Sequence, residues 1–170
     1  MVTIRPEQPS DTPAIERLLD TAFEPERHGR PSYRLREGVP RIDTLCFVAE
    51  NDGRVIGVVR FWPIEVGGAP ALLLGPIAVH PELARRGIGS RLVRKGLNAA
   101  KAAGWRVVVA VGVQAYLGRF GFVPAKPRGL RFPVPVDEAR FLVLELVPGA
   151  LSTAGGRIGP ARPAAKAAVS

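Results

Sequence analysis

The spacing of apolar positions changes several times along the chain, and each change marks a boundary between strand-like and helix-like sequence. Residues 2–6, "VTIRP", read as a short strand. In "SDTPAIERLLDTAF" the spacing becomes helical: Asp11 stands as N-cap, Pro13 falls in the first turn, and Ile15, Leu18, Leu19 and Ala22 share one face. The polar segment 24–43, broken by Pro31 and Pro40, predicts a short helix or an ordered loop. "TLCFVAENDGRVIGVVRFWPIEV" holds two strand runs joined at Asn51-Asp52-Gly53, a hairpin signal. A second glycine turn, "VGGAP", leads into the strand "LLLGPIAV". Beyond Gly89, "SRLVRKGLNAAKAAG" keeps Ile88, Leu92, Val93, Leu97 and Ala100 near one face and ends at Gly104, as a helix C-terminus does. "WRVVVAVGV" is apolar throughout, the pattern of a strand in the middle of a sheet. A helical turn "QAYLGRF", a short "GFVPA", a proline-restrained loop and a last strand "FLVLELV" complete the series.

This order predicts an α+β fold: one central mixed β-sheet flanked by helices, with hairpins on both flanks and a single strand-helix-strand crossover of right-handed sense. The folded domain is expected over residues 1–147. Residues 148–170, rich in glycine, proline and alanine, are expected to form a flexible basic tail with no role in the core. A chain of 170 residues without repeats is one domain, able to bury about two-thirds of its unfolded surface with no disulfide or metal to hold it. The N-terminal "MVTIRPEQPSD" has no signal-peptide core, and no apolar run approaches the roughly 20 residues of a membrane span. A soluble, cytoplasmic protein with no membrane partner is the expectation. The single cysteine, Cys46, excludes an internal disulfide and any CxxC site, and its strand context reads as a buried structural thiol.

Charge alters this picture through its distribution more than through its sum of +9. Between Glu82 and Asp137 there is no acidic residue, while Arg85, Arg86, Arg91, Arg94, Lys95, Lys101, Arg106, Arg119, Lys126, Arg128 and Arg131 all lie there. That half of the chain is suited to an anion such as a cofactor phosphate. Nucleic acid ranks last, because the basic residues lack interleaved stacking aromatics.

The stretch "LLLGPIAVHPELARRGIGSRL", residues 72–92, concentrates the chemistry. Pro76 has no amide hydrogen and Gly75 tolerates a bulge, so the strand is weakened at that point and can part from its neighbour. If the neighbour is "WRVVVAVGV", the amides of Ile77, Ala78 and Val79 become available to a ligand. Next, "RRGIGS" brings the backbone close to a guest and aims a helix N-terminus at it. Arg85, Arg86, Ser90 and Arg91 add bonds suited to a pyrophosphate. A dinucleotide fingerprint fails for want of a third glycine and a downstream carboxylate, and a Walker loop fails for want of its lysine. What remains is an extended ligand with a pyrophosphate and an amide-bearing arm.

Val79-His80-Pro81 followed by Ala84-Arg85-Arg86-Gly87-Ile88-Gly89 resembles the hallmark of the GNAT superfamily of acyl-CoA-dependent N-acyltransferases, V-x-P and then Q/R-x-x-G-x-G/A. "YLGRFGFVPA" continues the likeness, which spans roughly residues 2–147, and "LGPIAVHP", "RFGF" and "GLRFPVPVDEARFLVLEL" look like a bacterial subgroup of predicted acetyltransferases. The resemblance implies a sheet splayed at the cofactor strand and acetyl-CoA as cosubstrate, with no metal. Pantetheine would bond the backbone of Ile77, Ala78 and Val79, and the pyrophosphate would sit on Arg85, Arg86, Gly87, Ile88, Gly89 and Ser90. It further implies direct attack by an amine, small-molecule or protein-borne, on a thioester polarised by the Ile77 amide.

Three departures bear on mechanism. Ala84 replaces the usual Gln or Arg. The position where the family often places a tyrosine acid is Leu117, preceded by Tyr116, which reads either as the general acid or as a packing residue. The cofactor strand offers no carboxylate, so the base is sought elsewhere: at Glu65, His80 or His28. Asp137 and Glu138 read as contacts for a cationic acceptor or as loop surface, and Trp62 and Phe132 as cleft walls or core. The leading function is acetyl transfer from acetyl-CoA to a primary amine in a ternary complex. The alternative is an acyl-CoA-binding regulatory module with little turnover. The sequence assigns neither the acceptor nor an oligomeric state.

Overall fold

The computed structural model of the protein describes residues 1–23, 31–151 and 156–161. Its main sheet contains β1 (Val2–Pro6), β2 (Phe47–Asn51), β3 (Arg54–Val66), β4 (Ala69–Val79), β5 (Val107–Val111), β6 (Val123–Pro124) and β8 (Phe141–Glu145), in the order β1-β2-β3-β4-β5-β8-β6. Within that order β4 and β5 alone run parallel. The connection between them is α3 (Ile88–Ala102), so the predicted mixed sheet with one helical crossover is what forms. Both hairpins close through left-handed pairs that suit two-residue turns: Asp52 (φ 52°) with Gly53 (φ 75°), and Gly67 (φ 56°) with Gly68 (φ 86°).

Each face of the sheet carries its own core. On one side α3 lays Leu92, Val93, Leu97 and Ala100 against Phe61, Leu72, Leu74, Val108 and Ala110. The close approach depends on Gly96, where a Cβ would stand 2.3 Å from Cε1 of the Phe61 ring. On the other side α1 (Thr12–Ala22) packs Ile15, Leu18 and Leu19 on Val48, Val58 and Ala78. A further cluster on that side joins Leu35, Leu73, Val109, Val143 and Ile158. The short α2 (Pro31–Arg34) lies in the proline-broken segment, as its composition predicts.

Asp11 precedes α1 as expected, yet its carboxylate does not cap that helix. It accepts from the two terminal guanidinium nitrogens of Arg5, at 2.8 and 2.9 Å, and from the Gln8 amide at 2.7 Å. Cys46 is buried just before β2, and burial pushes its thiol up to about 11, in keeping with a structural role. No helix among the described residues is long and apolar enough to cross a membrane.

One boundary is corrected. The core does not end at residue 147: β9 (Gly156–Pro160) pairs with the outer end of β3 and with β7 (Leu130–Arg131). Ile158 is fully buried, and Ala150 and Leu151 are buried beside it. Glu145, in β8, reaches across to accept from the Leu151 amide at 2.9 Å and from Arg128 at 2.8 Å. A five-residue strand with one buried side chain carries no periodicity, which is why its sequence reads as tail.

Candidate active site

The sheet opens at Gly75-Pro76. On one edge of β4, Val59 pairs with Ile77 and Phe61 with Leu74, so Arg60 alone faces the Gly75-Pro76 pair. This is the bulge that a proline in a central strand requires. On the other edge β4 pairs with β5 only from Leu72 to Leu74, and the two strands separate immediately beyond. The indole Nε1 of Trp62 donates to the Gly75 carbonyl at 2.7 Å, satisfying an acceptor that the bulge takes out of the ladder.

Alternation then decides which amides face the opening. The His80 amide donates to the Ile56 carbonyl at 2.8 Å, across β3. In an antiparallel pair successive residues turn their amides to opposite edges, so Ala78 also faces β3 while Ile77 and Val79 face the splay. The expectation for three available amides narrows to Ile77 and Val79.

A cleft of about 330 Å³ occupies the splay. Its floor is Leu74–Val79 on β4 and Ala110–Val113 at the end of β5; Gly89, Tyr116 and Leu117 close one end, and Ser32, Tyr33, Arg36 and Arg140 line the other. A second cleft of about 700 Å³ lies over the basic glycine turn and shares Val79, Gly89, Val113 and Tyr116 with the first. An elongated ligand can therefore run from the turn into the splay without leaving the surface.

The turn has the predicted character. Arg85 (φ 65°) and Gly87 (φ 79°) are left-handed, and Gly87 is the N-cap of α3, with no side chain capping the helix. Arg91 makes the first intrahelical bond, to the Gly87 carbonyl at 3.1 Å, which leaves the amides of Ile88, Gly89 and Ser90 pointing outward without intrahelical partners. A non-glycine residue at positive φ costs of order 1 kcal/mol, and such strain concentrates where ligands bind. Arg85 and Ser90 line this cleft, whereas Arg86 is exposed outside it and Arg91 reaches back to the Val2 carbonyl at 3.4 Å.

The tyrosine displaced by one position points inward. Helix α4 (Gln114–Leu117) begins irregularly, since the amides of Tyr116 and Leu117 both donate to the Val113 carbonyl, at 3.1 and 2.9 Å. Leu117 is buried against Gly112, while Tyr116 lines both clefts. Its hydroxyl lies 2.9 Å from where a Gly89 Cβ would stand, directly over the helix N-terminus.

Other candidates are not brought to the opening. Glu65 pairs with Pro70 and Gly159 near the distal hairpin, and it does not line the cleft. Pro70 stands five residue steps before Gly75, about 17 Å along β4, which is too far for a carboxylate to act as the base. The His80 Nδ1 accepts from the Glu82 amide at 3.3 Å, a turn contact. Asp137 accepts from the Ala139 amide and Glu138 pairs with Lys126, so both are loop structure. Phe132 packs edge-on against Phe141, and His28 lies outside the described residues. Among the described residues lining the splay there is no Asp, Glu or His. Trp62, read as cleft wall or core, does not line the splay; it packs on the core and touches the site through its indole bond to Gly75. Arg119, which periodicity did not single out, lines the turn cleft, and its signal was its place three residues after Tyr116.

A sheet opened after a glycine-proline bulge, with a basic glycine turn at one end and a tyrosine at the junction, is the arrangement of an acyl-CoA-dependent acetyltransferase. Residues 12–122 match the model of the acetyltransferase (GNAT) family, and the chain belongs to that family, whose activity is acetyl transfer to an amine. It is 36% identical over 158 residues to YhbS of Escherichia coli K12, named as an uncharacterised N-acetyltransferase, covering 91% of this chain and 93% of YhbS. It is also 29% identical to YjhQ of the same organism over 134 residues, 76% of this chain and 74% of YjhQ. The crystal structure of E. coli YhbS in complex with CoA superposes with a TM-score of 0.82 at 35% identity, covering 94% of this chain and 89% of that one. A Brucella melitensis GNAT acetyltransferase in complex with acetyl-CoA gives a TM-score of 0.65 at 31% identity, with coverage of 87% and 90%.

Proposed function

We propose that this chain acetylates a primary amine by direct transfer from acetyl-CoA in a ternary complex, with Tyr116 as the general acid. The observation that carries the assignment is the Tyr116 hydroxyl poised over Gly89, where the turn cleft and the splay meet. The residues present fit the cofactor: outward amides on a basic, glycine-lined helix start suit a pyrophosphate, and two outward strand amides suit a pantetheine arm. When bound, acetyl-CoA supplies the acetyl group; the amine nitrogen forms a C–N bond to the carbonyl carbon as the C–S bond breaks.

Ile77 donates its amide to the thioester oxygen, and the Val79 amide holds the arm in strand-like register. Tyr116 gives its hydroxyl proton to the departing sulfur and regains one from solvent. Arg85, Gly87, Ile88, Gly89 and Ser90 hold the phosphates. The acceptor enters from the end lined by Ser32, Tyr33, Arg36 and Arg140 and passes its surplus proton to water. A lysine side chain of pKa about 10.4 costs roughly 4.6 kcal/mol to deprotonate at pH 7, against about 1.4 for an amine near 8. A splay without a described carboxylate or histidine thus favours acceptors of low pKa. A binding module without turnover is not favoured, since the chain belongs to the GNAT acetyltransferase family and is 36% identical to an N-acetyltransferase over nearly its whole length. We also assign the protein to the cytoplasm, where a buried free thiol such as Cys46 stays reduced.

The test is free-thiol release from acetyl-CoA over a panel of amines graded by pKa, read beside Tyr116→Phe. Turnover that rises as acceptor pKa falls, and a tyrosine variant that loses most of kcat, are the expected results. Cofactor binding without thiol release on any amine overturns the assignment.

A further inference from the structure

The sequence places the tyrosine one step early, and helical geometry alone would rotate it about 100° from the usual direction. Arg119 supplies what holds it. Its Nε donates to the Tyr116 carbonyl at 3.3 Å, its guanidinium carbon lies 4.6 Å from the Tyr116 ring centroid, and its Nη2 donates to the Ser90 hydroxyl at 3.0 Å. One side chain therefore grips the tyrosine at backbone and ring and ties both to the phosphate turn. Phe120 completes the mount: its ring meets Tyr116 edge-on at 5.6 Å and lies 5.0 Å from the Arg94 guanidinium. Arg119 lines the turn cleft beside Arg85 and Ser90, and among the described residues no carboxylate pairs with it.

We propose that Arg119 is a positioning residue that couples occupancy of the phosphate turn to placement of the Tyr116 hydroxyl. In the free protein its fork rests on Ser90. When phosphate oxygens occupy the turn, stronger charge-assisted bonds draw the fork from the neutral hydroxyl to the anion, and the stacked ring follows. Only a planar, forked cation can make the stack and both hydrogen bonds together; a lysine ammonium keeps the charge but loses the plane. This inference rests on the assignment of Tyr116 as general acid.

The experiment is a kinetic cycle of Arg119→Lys and Tyr116→Phe, joined to coenzyme A titration of protein labelled with 3-fluorotyrosine. Arg119→Lys is expected to keep the coenzyme A Kd within about threefold, because the charge remains, while kcat falls about tenfold. In a Tyr116→Phe background the same substitution should cost kcat nothing further. The fluorine resonance of Tyr116, identified by its loss in Tyr116→Phe, should shift with coenzyme A in the parent and much less in Arg119→Lys. Equal kcat losses in both backgrounds, or an undiminished resonance shift, overturn the coupling. If Tyr116→Phe alone retains full kcat, the general-acid assignment fails, and the resonance still decides whether Arg119 moves the ring. Arg119 is exposed, so an unchanged thermal midpoint is expected in the lysine variant.

Discussion

Gly89→Ala separates what the fold needs from what the site needs. Gly89 is the second residue of α3 and has ordinary helical φ, so alanine is compatible with the backbone and gains at most about 1 kcal/mol of helix propensity. Its Cβ, however, would stand 2.9 Å from the Tyr116 hydroxyl and 3.6 Å from Val79 Cγ2. The second distance is ordinary contact. The first is about 0.5 Å or more inside van der Waals separation, and the ring that must yield is held by Arg119 and Phe120. A displacement of that size at a reacting group costs on the order of tenfold in rate, since about 1 Å costs a hundredfold. The variant should thus retain its thermal midpoint to within the roughly 2–4 °C that 1 kcal/mol moves a chain of this size, while kcat for thiol release falls at least tenfold. Combined with Tyr116→Phe, which removes the clashing oxygen, the alanine should add little further loss. Full kcat in Gly89→Ala, or a midpoint lowered by 10 °C, would refute the placement of the hydroxyl. A bulky anion at the same position, Gly89→Glu, should abolish coenzyme A binding in calorimetry.

Three further expectations test other parts of the structure. Trp62→Phe leaves the Gly75 carbonyl without its 2.7 Å donor, so stability should fall by about 1–3 kcal/mol in urea unfolding and KM for acetyl-CoA should rise as the splay loses definition; an unchanged variant would mean that the indole does not set the bulge. Ile158→Ala empties a fully buried position and should cost about 2–5 kcal/mol by the same measurement, whereas no loss would return this strand to the status of a loose tail. Hydrogen bonds from Arg5 hold the Asp11 carboxyl below its ordinary value, so its stabilisation is fully present above the unfolded value of about 4 and is lost as pH falls through the folded one; unfolding midpoints in Asp11→Asn should show a flatter acid limb than the parent.

Much of the site could be read locally because its parts are local devices. A proline cannot donate to a ladder wherever it sits, and a glycine such as Gly87 permits a left-handed N-cap wherever it occurs, so the Gly75-Pro76 break and the turn before α3 follow from composition. Periodicity over Ile88–Ala102 and Val107–Val111 likewise identified the crossover. Glu65 misleads for a different reason: it looks close to the site in sequence, but strand pairing carries it toward the distal hairpin. Leu117 and Tyr116 could not be ranked from spacing, because two amides share one carbonyl and the turn is no longer an ideal helix.

The sequence by itself determined the order of elements, the place where β4 must leave its neighbour, and the basic glycine turn that opens α3, since each depends on the backbone chemistry of a few adjacent residues. Tertiary structure decided which two of three amides face the opening, that β9 closes the outer sheet, and that Arg119 joins Ser90 to Tyr116. Those outcomes depend on registers and side-chain contacts between segments tens of residues apart. Pairing across such distances is set by the packing of whole faces, which no local pattern contains.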